Sequence, residues 1–148
     1  MVRKKLFDTS ALLAGLVRSH PLYTWSALRF AQVHEGDAQG FICTHGLVEL
    51  FSGLTINPQT RYKPTIAEVM IERLLEKFKV VDLGSDDYLA AFARAKNLHL
   101  SGGAVYDILH AQAFLKAGAD SLVTLNAKHF LRLGDDIAPR VESPLEKS

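Results

Sequence analysis

The stretch KLFDTSALLA, residues 5–14, sets one acidic side chain between a short apolar run and a helix-like segment. An apolar strand that leads directly into a helix is the start of a β–α unit. Burying a carboxylate is costly, so Asp8 at the end of this run needs hydrogen-bond donors, water or a cation beside it. Two interpretations stay open from these residues alone: Asp8 caps the following helix, or it belongs to a binding site.

The composition is that of an ordinary globular protein. The chain has 148 residues, of which 48% are hydrophobic and 22% charged, and its formal net charge is +1. This length fits one domain, which we expect to span residues 1–143 and to be followed by a polar tail, residues 144–148. The charge has no strong basic excess, so any affinity for RNA has to come from local patches or a bound cation.

Two features bear on the cellular compartment. The single cysteine, Cys43, lies in an apolar run and cannot form an intrachain disulfide, which is typical of a buried thiol in a reducing compartment. Basic residues precede the first apolar stretch, but Asp8 interrupts it and no cleavage pattern of small residues follows, so we do not interpret it as a secretory signal. No stretch approaches the roughly 20 apolar residues of a membrane span. We therefore expect a cytoplasmic protein.

Short apolar runs alternate with helical patterns along the chain. Strands are predicted at residues 6–7, 41–44, 79–83 and 121–125, with an edge strand near Val141. Helices are predicted at residues 11–17, 22–33, about 47–54, 64–78, 86–96 and 104–116, with Ser85 as an N-cap and with connections at 36–40 and 55–63. This alternation predicts an α/β fold with a mostly parallel sheet covered on both faces.

Several oxygen-bearing side chains are predicted to meet at one edge of this sheet. Ligands of parallel sheets bind beyond the carboxyl ends of the strands, where Asp8 and Asn126 each follow a strand and Glu49 lies in the helix after another. Glu49 points away from the apolar stripe of Leu47, Leu50, Phe51 and Leu54, towards either solvent or a groove. Asp107, in the first turns of a helix, equally suits a favourable interaction with the helix dipole.

The order of these motifs resembles the PIN domain, particularly the single-domain VapC-type toxin nucleases. The resemblance covers about residues 4–143 and implies a three-layer α/β/α sandwich with a central, mostly parallel sheet. It is carried by Asp8-Thr9-Ser10 after a strand, by Glu49, and by the segments YDILHA, residues 106–111, and GADSLVTLNAKHF, residues 118–130.

The resemblance also implies a metal site. Acids matching Asp8, Glu49 and Asp107 would gather in one pocket and hold Mg²⁺ or Mn²⁺, with Asn126 at a fourth position and Asp8 or Glu49 as the base for an attacking water. Glu35 is a weaker match than Glu49 because it precedes its strand. Asn126 departs from the all-aspartate pattern and removes one negative charge, which disfavours a second metal. Asp120 precedes its strand, so we expect it at the opposite edge.

Clustered carboxylates repel one another unless a cation neutralises them, which suits a Mg²⁺ site. The resemblance therefore implies a metal-dependent endoribonuclease, the toxin of a type II toxin–antitoxin pair, acting on a structured RNA such as tRNA. An antitoxin protein and a homodimer are the expected partners. RNA phosphates would be drawn in by Arg61, Lys63, Lys128 and His110, although solvated loop charges and a surface histidine are the simpler interpretations of these four residues.

Two other functions remain open. One is a PIN nuclease of RNA processing that is not a toxin. The other is a phosphate-binding or receiver-like module, since Asp8 ends one strand and Lys128 follows a later one, although the paired acids expected beside Asp8 in such a module are missing. The aromatic residues Tyr23, Trp25 and Phe30 are expected to lie in the core or at a protein interface.

Overall fold

The computed structural model describes residues 2–56 and 61–144. Its strands are β1 (Arg3–Phe7), β2 (Ala38–Cys43), β3 (Phe78–Val81), β4 (Ser121–Val123) and β5 (Val141–Glu142). Its helices are α1 (Thr9–Leu16), α2 (Tyr23–His34), α3 (Thr44–Ile56), α4 (Pro64–Leu74), α5 (Ser85–Asn97), α6 (Ala104–Ala117) and α7 (Ala127–Leu131), with a 3₁₀ turn at Ala138–Arg140.

The strands form one sheet in the order β3-β2-β1-β4-β5. Every neighbouring pair is parallel, so the carboxyl ends of the strands share one edge. The chain moves outwards from β1 through β2 to β3 and then returns to the other side of β1 with β4. The strand order therefore reverses between β1 and β4, and this is where parallel sheets bind ligands.

Helices cover both faces of the sheet because neighbouring side chains of a strand point to opposite sides. In β1, the fully buried Leu6 packs into a core that includes residues of α5, α6 and α7. The next residue, Phe7, is equally buried and packs into a second core with residues of α1 to α4. The protein is therefore a three-layer α/β/α sandwich, which confirms the predicted fold class.

Three phenylalanine rings hold the second core together. Phe7 makes edge-to-face contacts with Phe30 and Phe78, at centroid distances of 5.9 and 5.1 Å. Gly40 makes room for them, since a Cβ there would lie 2.6 Å from the Phe78 ring. Phe30 thus lies in the core, as expected, whereas Trp25 is only partly buried and carries the Arg29 guanidinium 3.7 Å from its ring centroid.

The structure differs from the predicted elements mainly at their ends. Strand β2 begins at Ala38, inside the predicted 36–40 connection, because Gly40 serves close packing against Phe78 rather than a turn. Helix α5 begins at Ser85 with Gly84 as its N-cap, so the prediction of a Ser85 cap is wrong. Helix α3 continues to Ile56, and residues 57–60 of the predicted 55–63 loop lie outside the described residues.

Two smaller findings concern membrane spans and the single cysteine. Among residues 2–56 and 61–144, no helix combines the length and apolar character needed to cross a membrane. Cys43 is a free, buried thiol, and burial raises its pKa to about 11. A thiol with a raised pKa is a poor nucleophile, so Cys43 acts as a small core residue.

Candidate active site

Asp8 sits at the reversal point of the strand order and is only 3% exposed. Its Oδ1 accepts hydrogen bonds from the Ala11 amide, at 3.0 Å, and from the Ser10 hydroxyl, at 2.7 Å. Its Oδ2 accepts a third, from the Thr124 hydroxyl at 2.5 Å. Asp8 therefore caps α1, which confirms one of the two interpretations. Three of about four acceptor positions of an ionised carboxylate are used, and the group is held rigidly.

Glu49 lies in the second turn of α3 and points into the space beside Asp8. Its Oε1 accepts a hydrogen bond from the Thr9 hydroxyl at 2.7 Å and lies 2.7 Å from His110 Nε2. Partial burial raises the pKa of Glu49, but hydrogen bonds from His110 and Thr9 outweigh it and lower the pKa overall. Of the two orientations left open by the sequence, Glu49 takes the one towards a groove.

His110 lies beneath the site and is 2% exposed, so its interpretation as a surface histidine is wrong. Gly46 leaves room for its ring, because a Cβ at that position would lie 3.3 Å from His110 Cε1. Burial lowers the pKa of His110, but the hydrogen bond to Glu49 and the charge of Asp8 outweigh burial and raise it overall. Its Nδ1 is buried and has no hydrogen-bond partner among the described residues.

Asp107 lies in the first turn of α6, whose N-cap is Gly103 rather than Asp107. Its Oδ2 lies 3.3 Å from His129 Nδ1 in α7. The pKa of Asp107 is raised, first by burial and then by the negative charges of Asp8 and Glu49, and the nearby histidines only partly offset this. Burial and the acidic neighbours therefore disfavour the ionised form of Asp107, in contrast to Glu49, whose pKa is lowered.

One cavity of about 300 Å³ joins these side chains. The structure brings together all four oxygen-bearing residues singled out in the sequence, together with His110. Asp120 lies at the opposite edge of the sheet, as expected, where its Oδ2 accepts a hydrogen bond from the Lys4 amide at 2.8 Å. The lining residues are Asp8, Thr9, Ser10, Glu49, Gly103, Tyr106, Asp107, His110, Asn126 and His129.

Three of the four residues proposed to bind RNA, Arg61, Lys63 and Lys128, lie outside this cavity, whereas His110 lines it. Lys128 is exposed and lines a neighbouring cavity, which it shares with Asn126. Arg61 and Lys63 are exposed near the start of α4 and do not line the acidic cavity. A larger cavity of about 830 Å³ opens at the amino edge of the sheet, among Arg3, Arg29 and Arg140. It contains none of the converging acids, so we place the candidate site in the smaller cavity.

Sequence reasoning missed several residues of the site. His129 faces Asp107, and its position three residues after Asn126 at the start of α7 was the available signal. His45, in the first turn of α3, places Nε2 3.7 Å from Glu49 Oε2. The hydroxyls of Thr9 and Ser10 belonged to the quoted motif but had no assigned role, and the part played by Thr124 depends on the pairing of β4 with β1.

The donors present fit a hydrated Mg²⁺ ion. Mg²⁺ prefers oxygen ligands, keeps several waters and is usually bound through only one or two carboxylates. Within the described ranges, no three His, Cys, Asp or Glu side chains are grouped closely enough to hold a metal by themselves. However, Asp8 and Glu49 raise the pKa of Asp107, and a cation in the shared cavity would relieve this repulsion.

We expect the Glu49–His110 pair to stabilise the metal-free protein most at mildly acidic pH. The pKa of Glu49 is lowered from 4.5, so its contribution is complete above pH 4.5 and is lost as the pH falls through the lowered value. The pKa of His110 is raised from 6.5, so its contribution is complete below pH 6.5 and is lost as the pH rises through the raised value. Glu49→Gln should therefore lower the free energy of unfolding most between pH 4.5 and pH 6.5.

Denaturant unfolding in a chelator checks this, with wild type and Glu49→Gln compared within that window and at alkaline pH. Within the window, Glu49→Gln should lower the free energy of unfolding by about 1.5–3 kcal/mol, as for hydrogen bonds to charged groups. Asp136→Asn is the control, because its partner Arg94, at 2.7 Å, stays charged throughout and its cost should not change with pH. An equal cost of Glu49→Gln at both pH values would contradict the expectation.

Fold and site together define the class of the protein: an α/β/α domain with three acids and an asparagine around one cavity at the reversal point of a parallel sheet. The chain belongs to the PIN domain family, whose match covers residues 5–135. No curated protein sequence matches the chain.

Several solved structures share this fold. VapC20 of Mycobacterium tuberculosis, a toxin that cleaves the sarcin-ricin loop, is 17% identical with a TM-score of 0.64, over 80% of this chain and 86% of VapC20. VapBC-1 of nontypeable Haemophilus influenzae is 20% identical with a TM-score of 0.68, and the match covers 95% of this chain and 97% of the matched chain. VapBC2 of Rickettsia felis, bound to promoter DNA, is 19% identical with a TM-score of 0.66, and the match covers 95% of this chain and 98% of the matched chain.

Proposed function

We propose that this protein is a metal-dependent endoribonuclease of the VapC type, the toxin of a type II toxin–antitoxin pair. The observation that carries the proposal is the convergence of Asp8, Glu49 and Asp107, with Asn126, on one cavity of a PIN domain. The likeness in fold to VapC20 and to two VapBC assemblies supports the toxin assignment.

Asp8, Glu49 and Asp107 would hold the metal together with its bound waters, with Mg²⁺ as the expected ion and Mn²⁺ as a substitute. When bound, the ion would offset the charge of the scissile phosphate and lower the pKa of a water molecule. One ion is expected, because Asn126 adds an amide oxygen without a charge. The same three acids make the cavity repel RNA when it contains no cation, so metal binding and substrate binding should be coupled.

The structure favours Asp107 over Asp8 and Glu49 as the base that takes the proton from the attacking water. Asp8 is held by three hydrogen bonds, and Glu49 has a lowered pKa with Oε1 already bonded to Thr9. Among the described residues, the contact of the Asp107 side chain is the one from Oδ2 to His129 Nδ1, at 3.3 Å, so Asp107 is the least constrained of the three acids and can orient the water. Attack by water with the 3′ oxygen as the leaving group, the course that the family resemblance implies, would leave a 5′-phosphate and a 3′-hydroxyl.

The surface is compatible with the proposed partners. Arg61, Lys63 and Lys128 are exposed and can reach phosphates outside the acidic cavity, as RNA binding requires. Large apolar side chains on α3 and α4 are also exposed, which suits an antitoxin or a second copy of the chain. These are Val48, Phe51, Ile56, Ile66 and Val69. We further propose that the protein acts in the cytoplasm, where RNA and a reducing environment coincide.

The test is cleavage of total RNA by the purified chain, together with growth after expression without a partner. We expect growth arrest, and cleavage in Mg²⁺ or Mn²⁺ that falls at least about a hundredfold in a chelator. Cleavage that persists in the chelator would contradict the mechanism. Metal-dependent cleavage with normal growth would point to a non-toxin PIN nuclease, and stable phosphorylation of Asp8 without cleavage would point to a receiver-like module.

A further inference from the structure

Tyr106 is an aromatic side chain left open to solvent at the rim of the acidic cavity. It is 48% exposed, although it precedes the half-buried Asp107 directly in α6. It also lines the same cavity as Asp107 and Glu49. A tyrosine ring at this position has an apolar face that a ligand in the cavity can contact.

The ring of Tyr106 is held in one orientation by His45. The two rings are stacked in parallel, with centroids 5.0 Å apart and an interplanar angle of 4°. His45 Nε2 lies 3.7 Å from Glu49 Oε2, which places the stacked pair of rings beside the acidic site. The aromatic surface is therefore tied to the acidic site and is ordered before any ligand binds, which reduces the entropy lost on binding.

The chain next to Tyr106 leaves space for a ligand. Helix α6 is preceded by Gly102 and Gly103, and a Cβ at either position would meet no described atom within 4 Å. Gly103 also lines the acidic cavity. A planar group of a substrate can therefore approach the start of α6 without meeting a side chain from these two residues.

We propose that Tyr106, backed by His45, is a stacking platform for an unpaired base of the RNA substrate. The proposal rests on the proposed nuclease function and adds the residues that select the nucleotide conformation next to the cut. Unpaired bases stack on Tyr and His side chains, whereas bases within a duplex have both faces covered by their neighbours. The platform thus favours cleavage in loops and single strands, with tolerance for the identity of the base.

The first experiment measures RNA binding without cleavage. A short, labelled, single-stranded RNA of mixed sequence is titrated by fluorescence anisotropy at low salt, which strengthens the contacts to phosphates. Ca²⁺ replaces Mg²⁺, because it also takes oxygen ligands and offsets the charge of the acidic cavity but, as a larger ion, polarises a bound water less. Tyr106→Ala should bind about 5- to 150-fold more weakly, the loss expected for one stacked base. Tyr106→Phe keeps the ring and should stay within about twofold of wild type.

Phe92→Ala is the matched control, since Phe92 is 51% exposed on α5 but does not line the cavity. It should bind RNA as wild type does. Thermal unfolding of each variant checks that the fold is intact. Equal RNA affinity of wild type and Tyr106→Ala, or equal losses of RNA affinity in Tyr106→Ala and Phe92→Ala, would contradict the proposal that Tyr106 stacks on a base.

The second experiment identifies the stacked base by removing bases one at a time. In wild type, removing the base at one position of the RNA should weaken binding more than removing the base at the neighbouring positions. In Tyr106→Ala this difference should disappear, because the ring on which that base stacks is missing. In cleavage assays, Tyr106→Ala should raise KM and leave kcat within about twofold. A uniform abasic profile in wild type, or a profile unchanged by Tyr106→Ala, would overturn the proposal.

These readouts separate the platform from the nuclease function. RNA cleavage without coupling between Tyr106 and a base would refute the platform and leave the nuclease intact. Coupling without cleavage would support the platform and refute the nuclease. A chain that neither binds nor cleaves RNA would refute both.

Discussion

Asp107→Asn is expected to reduce RNA cleavage by about 10²- to 10⁴-fold, the range for loss of a catalytic base. The same variant should not destabilise the metal-free protein. The pKa of Asp107 is raised by burial and by its acidic neighbours, so its ionised form costs folding free energy at neutral pH, and a neutral side chain of the same shape removes that cost. Lost activity with unchanged or improved stability is the pattern of a residue kept for function.

Asp120→Asn is the matched control, because Asp120 lies at the amino edge of the sheet and accepts a hydrogen bond from the Lys4 amide at 2.8 Å. Cleavage rates with Mg²⁺ and thermal unfolding in a chelator should be measured for both variants. Asp120→Asn should keep its activity. A fully active Asp107→Asn variant, or equal losses of activity in both variants, would contradict the placement of the active site at the carboxyl ends of the strands.

Phe7→Ala should lower the free energy of unfolding by about 3–5 kcal/mol, as is typical when a buried phenylalanine is truncated. Phe7 is fully buried and contacts the rings of Phe30 and Phe78, at 5.9 and 5.1 Å. The change leaves a cavity beside the central strand, where the surrounding rings cannot close in without moving α2 or β3. In a domain of this size, each kcal/mol should lower Tm by about 2–4 °C.

Phe92→Ala is again the control, because Phe92 is 51% exposed and should change stability by no more than about 0.5 kcal/mol. Denaturant unfolding of both variants, with two-state behaviour checked by two probes, measures the difference. A loss below about 1 kcal/mol for Phe7→Ala would mean that the ring cluster is loosely packed.

The residues that were predictable from the sequence are those whose position follows from neighbours along the chain. Leu6 and Phe7 alternate between the two cores because successive side chains of any strand point to opposite faces. Asp8 caps α1 because its carboxylate reaches an amide only three residues ahead. The parallel order of the strands then placed Asp8 and Asn126 at one edge and Asp120 at the other.

The PIN resemblance depended on the same kind of information. It used the order of motifs along the chain, and the family match over residues 5–135 confirms it. The ends of elements were less predictable. Gly40 looks like a turn residue in isolation, and its place within β2 follows only from the ring of Phe78, 2.6 Å from where its Cβ would be.

Local sequence therefore determines that this chain forms β–α units with Asp8 at the end of the first strand, because strand alternation and helix capping act over a few residues. The tertiary structure decides what surrounds Asp8. Glu49 and His110 meet across 61 positions of sequence, and Asp107 meets His129 only because α6 and α7 pack on one face of the sheet. No local pattern encodes such contacts, so the burial of His110, the raised pKa of Asp107 and the stacking of Tyr106 on His45 follow from packing alone.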